Sequence, residues 1–296
     1  MNGAGVTLGS RRGRGRFPRG PGASSPSGPG RSSWRRLVPL RRWVVLAVVV
    51  GIWELWTEAR PSSFFPPPSQ IAVRMYHLWF SGPAAHLFLT HDAIANILPS
   101  LGRVLAALAI SAAAGGALGL VLGRSAAAAR VLDPLLQFAR ALPAVTMVPV
   151  FIAIFRIGTQ MEVATIVFGT IWPVLLNTAD GARFLDPVQV ETARAFRLPA
   201  GLRLVRLIIP AALPKFFAGL RLAIALALIL MVFAELAGSS SGLGYEMNNA
   251  QSSFDMTWVW ATLVLIAILG NLLNALEQGV EHRVLAWHRG ARQHGN

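Results

Sequence analysis

The sequence contains no cysteine. Disulfides, zinc–thiolate sites, thiolate-bound haem and iron–sulfur clusters are therefore excluded. It contains a single lysine, Lys215, and that lysine is followed by Phe216. A phosphate-cradling loop of the form G-x-x-x-x-G-K-[ST] cannot be built from it, so the chain does not hydrolyse ATP through such a loop. No H-E-x-x-H, G-x-S-x-G or paired-carboxylate pattern stands out, and an enzyme reading has little to rest on. Of the six histidines, only His77, His86 and His91 fall near one another. His86 and His91 are five apart, off the three- or four-residue spacing that puts two ligands on one helix face. We expect neither a metal nor a cofactor in this chain.

Charge is the next scarcity. Charged residues make up 14% and hydrophobic residues 54% of the 296, against about 25% charge in an ordinary soluble protein. The gaps are not spread evenly. Residues 104–123, 141–155, 163–179, 222–234 and 256–276 carry no Asp, Glu, Lys or Arg. A membrane-spanning helix needs roughly 20 mainly apolar residues, and a transmembrane barrel would alternate in segments of about ten instead. The pattern predicts an all-α, polytopic membrane protein of about six spans: 37–57, 101–123, 137–157, 162–179, 216–237 and 256–278. The third is short and carries Pro143 and Pro149. Such breaks are tolerated where neighbours satisfy the freed carbonyls; they either line a pathway, as in transporters, or kink the helix for packing.

What charge there is has one sign. The formal net charge is +14. With the N-terminus inside, 23 of the 27 basic residues fall on inner segments, as the positive-inside bias requires. Only Arg60, Arg74, Arg103 and Arg156 fall outside. This puts both termini in the cytoplasm and accounts for the charge without nucleic acid. Residues 1–36 are Gly, Pro, Ser and Arg with almost no apolar content, and we expect a disordered basic tail that touches anionic lipid. A transmembrane domain over 37–285 and a short cytoplasmic tail over 286–296 complete the organisation. The outer segment 57–100 opens on Pro61 and Pro66–Pro68. Ile71, Val73, Met75, Leu78 and Trp79 then recur at roughly helical spacing, as in an interfacial helix. Gly238-Ser-Ser-Ser-Gly-Leu-Gly244 reads as a flexible loop at the mouth of the fifth span.

The inner loop 180–215 is the most informative stretch. Asp186 suits an N-cap and Pro187 the first helical position. Glu191 then falls in the early turns, where the helix dipole favours an acid. Leu198 precedes Pro199 and is pushed out of the helical region. Residues 200–209 form a second short helix, closed by Pro210 and Pro214. A short, capped helix between two spans is a mechanical part that plugs into a partner's groove.

Glu191-Thr192-Ala193, then Arg197, then Leu207-Ile208-Ile209-Pro210, resemble the Glu-Ala-Ala loop of the membrane subunits of ATP-binding-cassette importers. Thr192 stands where that pattern has Ala. Arg197 stands where it has the Gly that permits a left-handed turn, and Pro199 with Gly201 offers a displaced turn instead. Phe65-Pro-Pro-Pro-Ser69, Leu101-Gly-Arg103, 141–149 and 234–244 are similar, in that order, to permeases of the sulfonate/nitrate/taurine type. The resemblance covers roughly 62–285. It implies a type I importer permease that pairs with a second copy. It also implies cytoplasmic ATP-binding subunits, which carry ATP and Mg, and an extracytoplasmic solute-binding protein that delivers the cargo. Glu191, Thr192, Ala193, Arg194, Arg197 and Pro210 would couple to the ATPase. Pro143, Pro149 and Glu235 would line or gate the pathway.

Glu235 closes the fifth span. A carboxylate at membrane depth is costly, unless it reaches the outer water or pairs with Arg156. Gly115, Gly119 and Gly123 repeat every four residues and read as a close-packing ladder. Trp172, Trp258 and Trp260 read as interfacial anchors. The alternative function is a secondary transporter driven by protons or sodium, which would favour paired intramembrane carboxylates; only Glu54 and Glu235 offer themselves. Alkanesulfonates or taurine, nitrate, and vitamin precursors all fit the resemblance.

Overall fold

The computed structural model describes residues 34–86, 88–185 and 187–286. The N-terminal tail up to residue 33, the tail from 287, and Asp186 with its capping role lie outside the described residues. The described chain is helical, with no strand. Its elements are α1 (Trp34–Ala59), α2 (Pro68–Met75), α3 (His91–Arg124), α4 (Ala126–Ala141), α5 (Val148–Phe155) and α6 (Thr159–Arg183). There follow α7 (Pro187–Ala195), α8 (Ala200–Arg203), α9 (Ile209–Gly238), α10 (Leu243–Ser252) and α11 (Met256–Val284). The chain divides after Val49. The first unit is described only as the start of α1; everything below concerns the second.

Among the described residues, α3, α6, α9 and α11 are long and apolar enough to cross a membrane. The expected third span is not one rod. It is α4 followed by the 144–155 helix, bent by 88°. Pro143 sits at the corner with φ −63° and ψ 123°, and Pro149 opens α5. Both prolines therefore start helices, where a missing N–H costs nothing, and neither kinks a continuous span. The first expected span forms a continuous helix. Its uncharged stretch is 43–53, between Arg42 and Glu54.

Direction follows from the glycines. A Cβ on Gly115 would meet Ile171 and Val174, one on Gly119 would meet Leu175 and Thr178, and one on Gly123 would meet Ala179 and Ala182. The partner numbers rise together, so α3 and α6 lie side by side and run parallel. Gly219 meets Pro173 and Asn177, while Gly169 meets Leu230; α9 is antiparallel to α6. Leu228 touches Gly270, and Arg221 reaches Glu277 and Glu281; α11 is antiparallel to α9. Two parallel neighbours require the chain between them to return to its starting side. The bent α4–α5 segment therefore makes that return.

The result is a bundle with two distinct ends. One holds the starts of α3, α6 and α11, the end of α9, and α10. The other holds the ends of α3, α6 and α11, the start of α9, and the 184–208 loop. The ladder of glycines is packing, as read, and brings the α3 and α6 backbones together. Between them Ser111 and Thr170 share a buried hydroxyl hydrogen bond of 2.7 Å.

The segment read as an outer interfacial helix is helical over Pro68–Met75 and on to Phe80, and buries its apolar face in the protein core. Ile71 and Trp79 are buried, and Met75 and Leu78 pack beside them. These four recur at i, i+4, i+7 and i+8, one helical face. Val73, two positions from Ile71, points away and is exposed. Glu54 accepts hydrogen bonds from the Ser69 amide (2.9 Å) and hydroxyl (2.5 Å). This carboxylate serves the N-terminus of α2, rather than interrupting a span to no purpose. Arg74 pairs with Asp255 at 2.6 Å and lies 5.3 Å over the Trp258 ring, fastening α2 to the start of α11. Trp260 donates to the Phe64 carbonyl at 2.9 Å and packs on Trp53 and Phe65.

Candidate functional site

Two places gather the residues singled out above, one at each end of the bundle. At the loop end, α7 stands out from the helices. Glu191, Thr192, Arg194 and Arg197 are exposed, and Ala193 is buried at 4% exposure. The short alanine side chain thus seats the helix while its neighbours face outward. Thr192 turns its hydroxyl back to the Val188 carbonyl at 2.8 Å. This i−4 bond satisfies the extra oxygen within the helix, so Thr in place of Ala costs little. Val188 (67%) at the start of this short helix and Phe196 (76%) just past its end are exposed. A cavity of about 550 Å³ lies beneath, lined by Val121 and Arg124 of α3, Val190 and Arg194 of α7, and Arg203 and Leu207 beyond. Pro210 and Pro214 do not close the helix begun at Ala200: the chain stays helical from Ala200 to Gly238, with Pro210, half-buried, in the first turn of α9 and Pro214 inside it.

The turn after α7 is not displaced toward Pro199 and Gly201. Arg197 itself adopts φ +49°. The Leu198 amide donates to the Ala193 carbonyl (3.0 Å) and the Arg197 amide to the Arg194 carbonyl (2.9 Å). This pair of bonds is the Schellman C-cap, in which the left-handed residue is usually Gly. The hydrogen bonds of the motif hold a non-glycine residue in a conformation that costs roughly 1–2 kcal/mol. Arg197→Gly should therefore raise stability by about 0.5–1 kcal/mol. A rise in the thermal unfolding midpoint of the purified protein checks this; an unchanged or lower midpoint would mean that the arginine makes a compensating contact.

At the other end sits Glu235, 1% exposed. It does not meet Arg156, which is exposed in the α5–α6 link. It accepts from the Ser100 hydroxyl (2.7 Å), the Arg103 guanidinium (2.8 Å) and the Gly244 amide (2.8 Å). Arg103, expected as an outer charge, is 7% exposed. Its Nε also pairs with Glu162 of α6 at 2.5 Å. Glu162 is fully buried, a second carboxylate that the sequence reading passed over.

The Ser/Gly segment expected to be flexible is pinned to this cluster. The Gly242 amide donates to Asn96 Oδ1 (2.9 Å) and the Leu243 amide to Ser100 Oγ (2.9 Å). Arg103 donates to the Ser241 carbonyl (2.9 Å) and hydroxyl (3.1 Å). Gly242 has φ +120°, and a Cβ there would lie 2.5 Å from the Glu235 carboxylate. Here glycine serves close approach rather than mobility. On α10, burial first, and the Asp92 charge second, hold Glu246 above the usual carboxylate range, with the Asn96 hydrogen bond opposing them.

Three residues of the cluster, Asn96, Ser100 and Glu162, were not singled out in the sequence. The available signal was a buried-charge requirement: Glu162 and Arg103 both border uncharged runs, where an isolated charge is expensive. Pro143 and Pro149 lie elsewhere, exposed at the α4–α5 corner, and do not meet Glu235 in one site. Among the described residues no group of three His, Asp or Glu side chains gathers to hold a metal.

Residues 97–285 match the profile of a family described as binding-protein-dependent transport system inner membrane component. The nitrate import permease protein NrtB of Leptolyngbya laminosa is 29% identical over 257 residues, covering 85% of this chain and 88% of that protein. The taurine transport system permease protein TauC of Escherichia coli is 28% identical over 267 residues, covering 87% and 94%. Among solved structures, an inward-facing MetNI methionine ABC transporter chain superposes with a TM-score of 0.55 at 18% identity, covering 64% of this chain and 94% of that one. This last likeness concerns the fold.

Proposed function

The chain belongs to the family of binding-protein-dependent transport system inner membrane components, and from that premise we propose how its parts work. It is a membrane-spanning permease subunit of an ATP-binding-cassette importer, not itself an enzyme. Membership implies separate ATP-binding subunits and a solute-binding protein. We infer that α7 is the coupling helix. The observation that carries this is α7 itself: a short helix closed by a Schellman turn, seated by Ala193, with Val188 and Phe196 exposed at its two ends. Burying an exposed Phe or Val against a partner contributes about 1.5–3 kcal/mol each. Glu191, Thr192, Arg194 and Arg197 surround them with polar contacts, and Pro210 fixes where α9 takes up the motion.

Charge supports placing this end in the cytoplasm. Arg124, Arg183, Arg203, Arg206, Lys215 and Arg221 gather there with α7, in keeping with the positive-inside bias. With a further crossing before α3, both termini face the cytoplasm, and 37–285 forms the permease domain. Two copies pair about the pathway. ATP-driven closure of the ATP-binding subunits draws the two α7 helices together, rotates the helices joined to them, and opens the pathway outward to the loaded binding protein. The corner made by Pro143 and Pro149 lines that pathway, while Glu235 sets the fold of its outer end. Nitrate and taurine, the cargo in the relatives' names, support a small anion or sulfonate as solute; vitamin precursors are a second class.

Glu191→Lys tests the docking. Exposed on α7, it should leave folding intact. Reversing a rim charge against a complementary partner costs several kcal/mol. Co-purification of the ATP-binding subunits should be lost and ATP-dependent uptake into vesicles should fall by roughly 10-fold or more. Unchanged association and uptake would defeat the reading of α7.

A further inference from the structure

Four helices meet at Arg103. Its side chain starts on α3, pairs with Glu162 of α6 and Glu235 of α9, and reaches the Ser241 carbonyl and hydroxyl just before α10. Two buried carboxylates face one guanidinium. Breaking such a cluster from one side strands a charge away from water, which is far more costly than loosening a surface pair. The segment it holds is Ser-Ser-Ser-Gly-Leu-Gly over 239–244, a composition that is mobile when nothing holds it. Every backbone N–H from Ser241 to Gly244 nevertheless has a partner: Ser239 Oγ, Asn96, Ser100 and Glu235 in turn. Ser100 and Asn96 are carried on the same helix as Arg103, one and two turns before it.

Resting on the permease reading above, we propose that Arg103 is a positioning residue for transport: it fixes the 239–252 segment, α10 included, onto α3 by bridging Glu162 and Glu235, and the link from α9 to α11 stays rigid through the transport cycle. The geometry requires a guanidinium. One terminal nitrogen donates to Glu235 and to the Ser241 carbonyl and the other to the Ser241 hydroxyl, while Nε meets Glu162 as an ion pair at 2.5 Å. A planar fork directs these bonds at once; an ammonium is a point charge on a flexible stem and cannot. Lysine at this position keeps the charge and loses the bridge.

The absence of cysteine makes the test clean, because in this chain spin labels attach only where cysteine is introduced, and the chain is labelled before the ATP-binding subunits are added. Leu98 on α3 and Gln251 on α10 are both exposed and lie outside the cluster. Leu98→Cys and Gln251→Cys, labelled together, report the α3–α10 distance by pulsed electron resonance. The protein is taken as its complex with the ATP-binding subunits in lipid nanodiscs. With Arg103 intact we expect one narrow within-copy component, isolated by mixing labelled with excess unlabelled copies, the same without nucleotide and with ATP plus vanadate. Arg103→Lys should add a second, longer population, since loss of a buried pairing shifts held against released forms by roughly 100-fold or more. Arg103→Met should go further, or fail to fold, in which case the lysine variant carries the comparison.

Two results would overturn the proposal. One is an unchanged distribution in Arg103→Lys alongside a lowered unfolding midpoint, which would make Arg103 a core stabiliser only. The other is a shift of the distribution with ATP plus vanadate while Arg103 is intact. Failure to retain ATP-binding subunits shows at purification and counts against the permease reading instead; the Arg103→Lys comparison is then read on the chain alone.

Discussion

Glu235→Ala should destabilise the folded chain by about 3–5 kcal/mol, the range for removing one member of a buried, hydrogen-bonded charge cluster. The carboxylate is the acceptor for three donors, the Ser100 hydroxyl, the Arg103 guanidinium and the Gly244 amide. Each hydrogen bond to a charged group contributes about 1.5–3 kcal/mol. Truncation leaves those donors at a buried site with no water to replace the lost oxygens. Glu235→Gln keeps the shape and one acceptor oxygen, but turns an NH2 toward donors that need an acceptor. It should fall between wild type and alanine. Glu235→Asp shortens the arm and should also fall between. Thermal unfolding in detergent, followed by tryptophan fluorescence, orders the series. An alanine variant within 1 kcal/mol of wild type would show that Glu162 alone satisfies Arg103, and that the Gly244 amide finds another partner.

The second large effect is expected on the α3–α6 contact. A Cβ on Gly119 would stand 2.6 Å from the Leu175 carbonyl oxygen and 2.7 Å from Thr178 Cβ, and one on Gly123 would strike the Ala179 carbonyl. These are backbone atoms and short stems, so no side chain can swing aside. Two helices that run parallel over this length would have to separate. Gly119→Val should cost about 3 kcal/mol or more, at or beyond the upper end of overpacking. It should also lower the yield of membrane-inserted protein, because small-residue contacts are what hold helices together in lipid. Gly102→Ala is the internal control. Nothing approaches its Cβ position, and it should gain about 0.5–1 kcal/mol from helix propensity. Equal behaviour of the two variants, read as unfolding midpoints, would mean that the ladder does not set the helix separation.

Much of this was legible in the sequence because burial in lipid is a composition problem. Uncharged runs marked α3, α6, α9 and α11, and the four-residue glycine repeat marked their closest contact. The loop after α6 was legible because capping is local: Pro187 and Pro199 bracket α7 as the chain order requires. Three things were not legible, and each depends on contacts distant in sequence. The corner at Pro143 needed knowledge of how α4 and α5 meet. The turn at Arg197 ran against a local preference, and only the Schellman hydrogen bonds hold it there. The buried cluster joins residues more than a hundred positions apart. Arg103 looked like one more exposed arginine because nothing nearby in the chain announces Glu235.

The parallel course of α3 and α6 has a consequence for the mature topology. With α4–α5 returning the chain, residues 91–284 make five passages, an odd number. The start of α3 and the end of α11 therefore emerge on opposite faces of the layer, whatever precedes residue 50. A reporter fused after Val284 shares a compartment with α7, and one inserted between Ser81 and Thr90 shares a compartment with α10. Two fusions suffice to orient the whole domain.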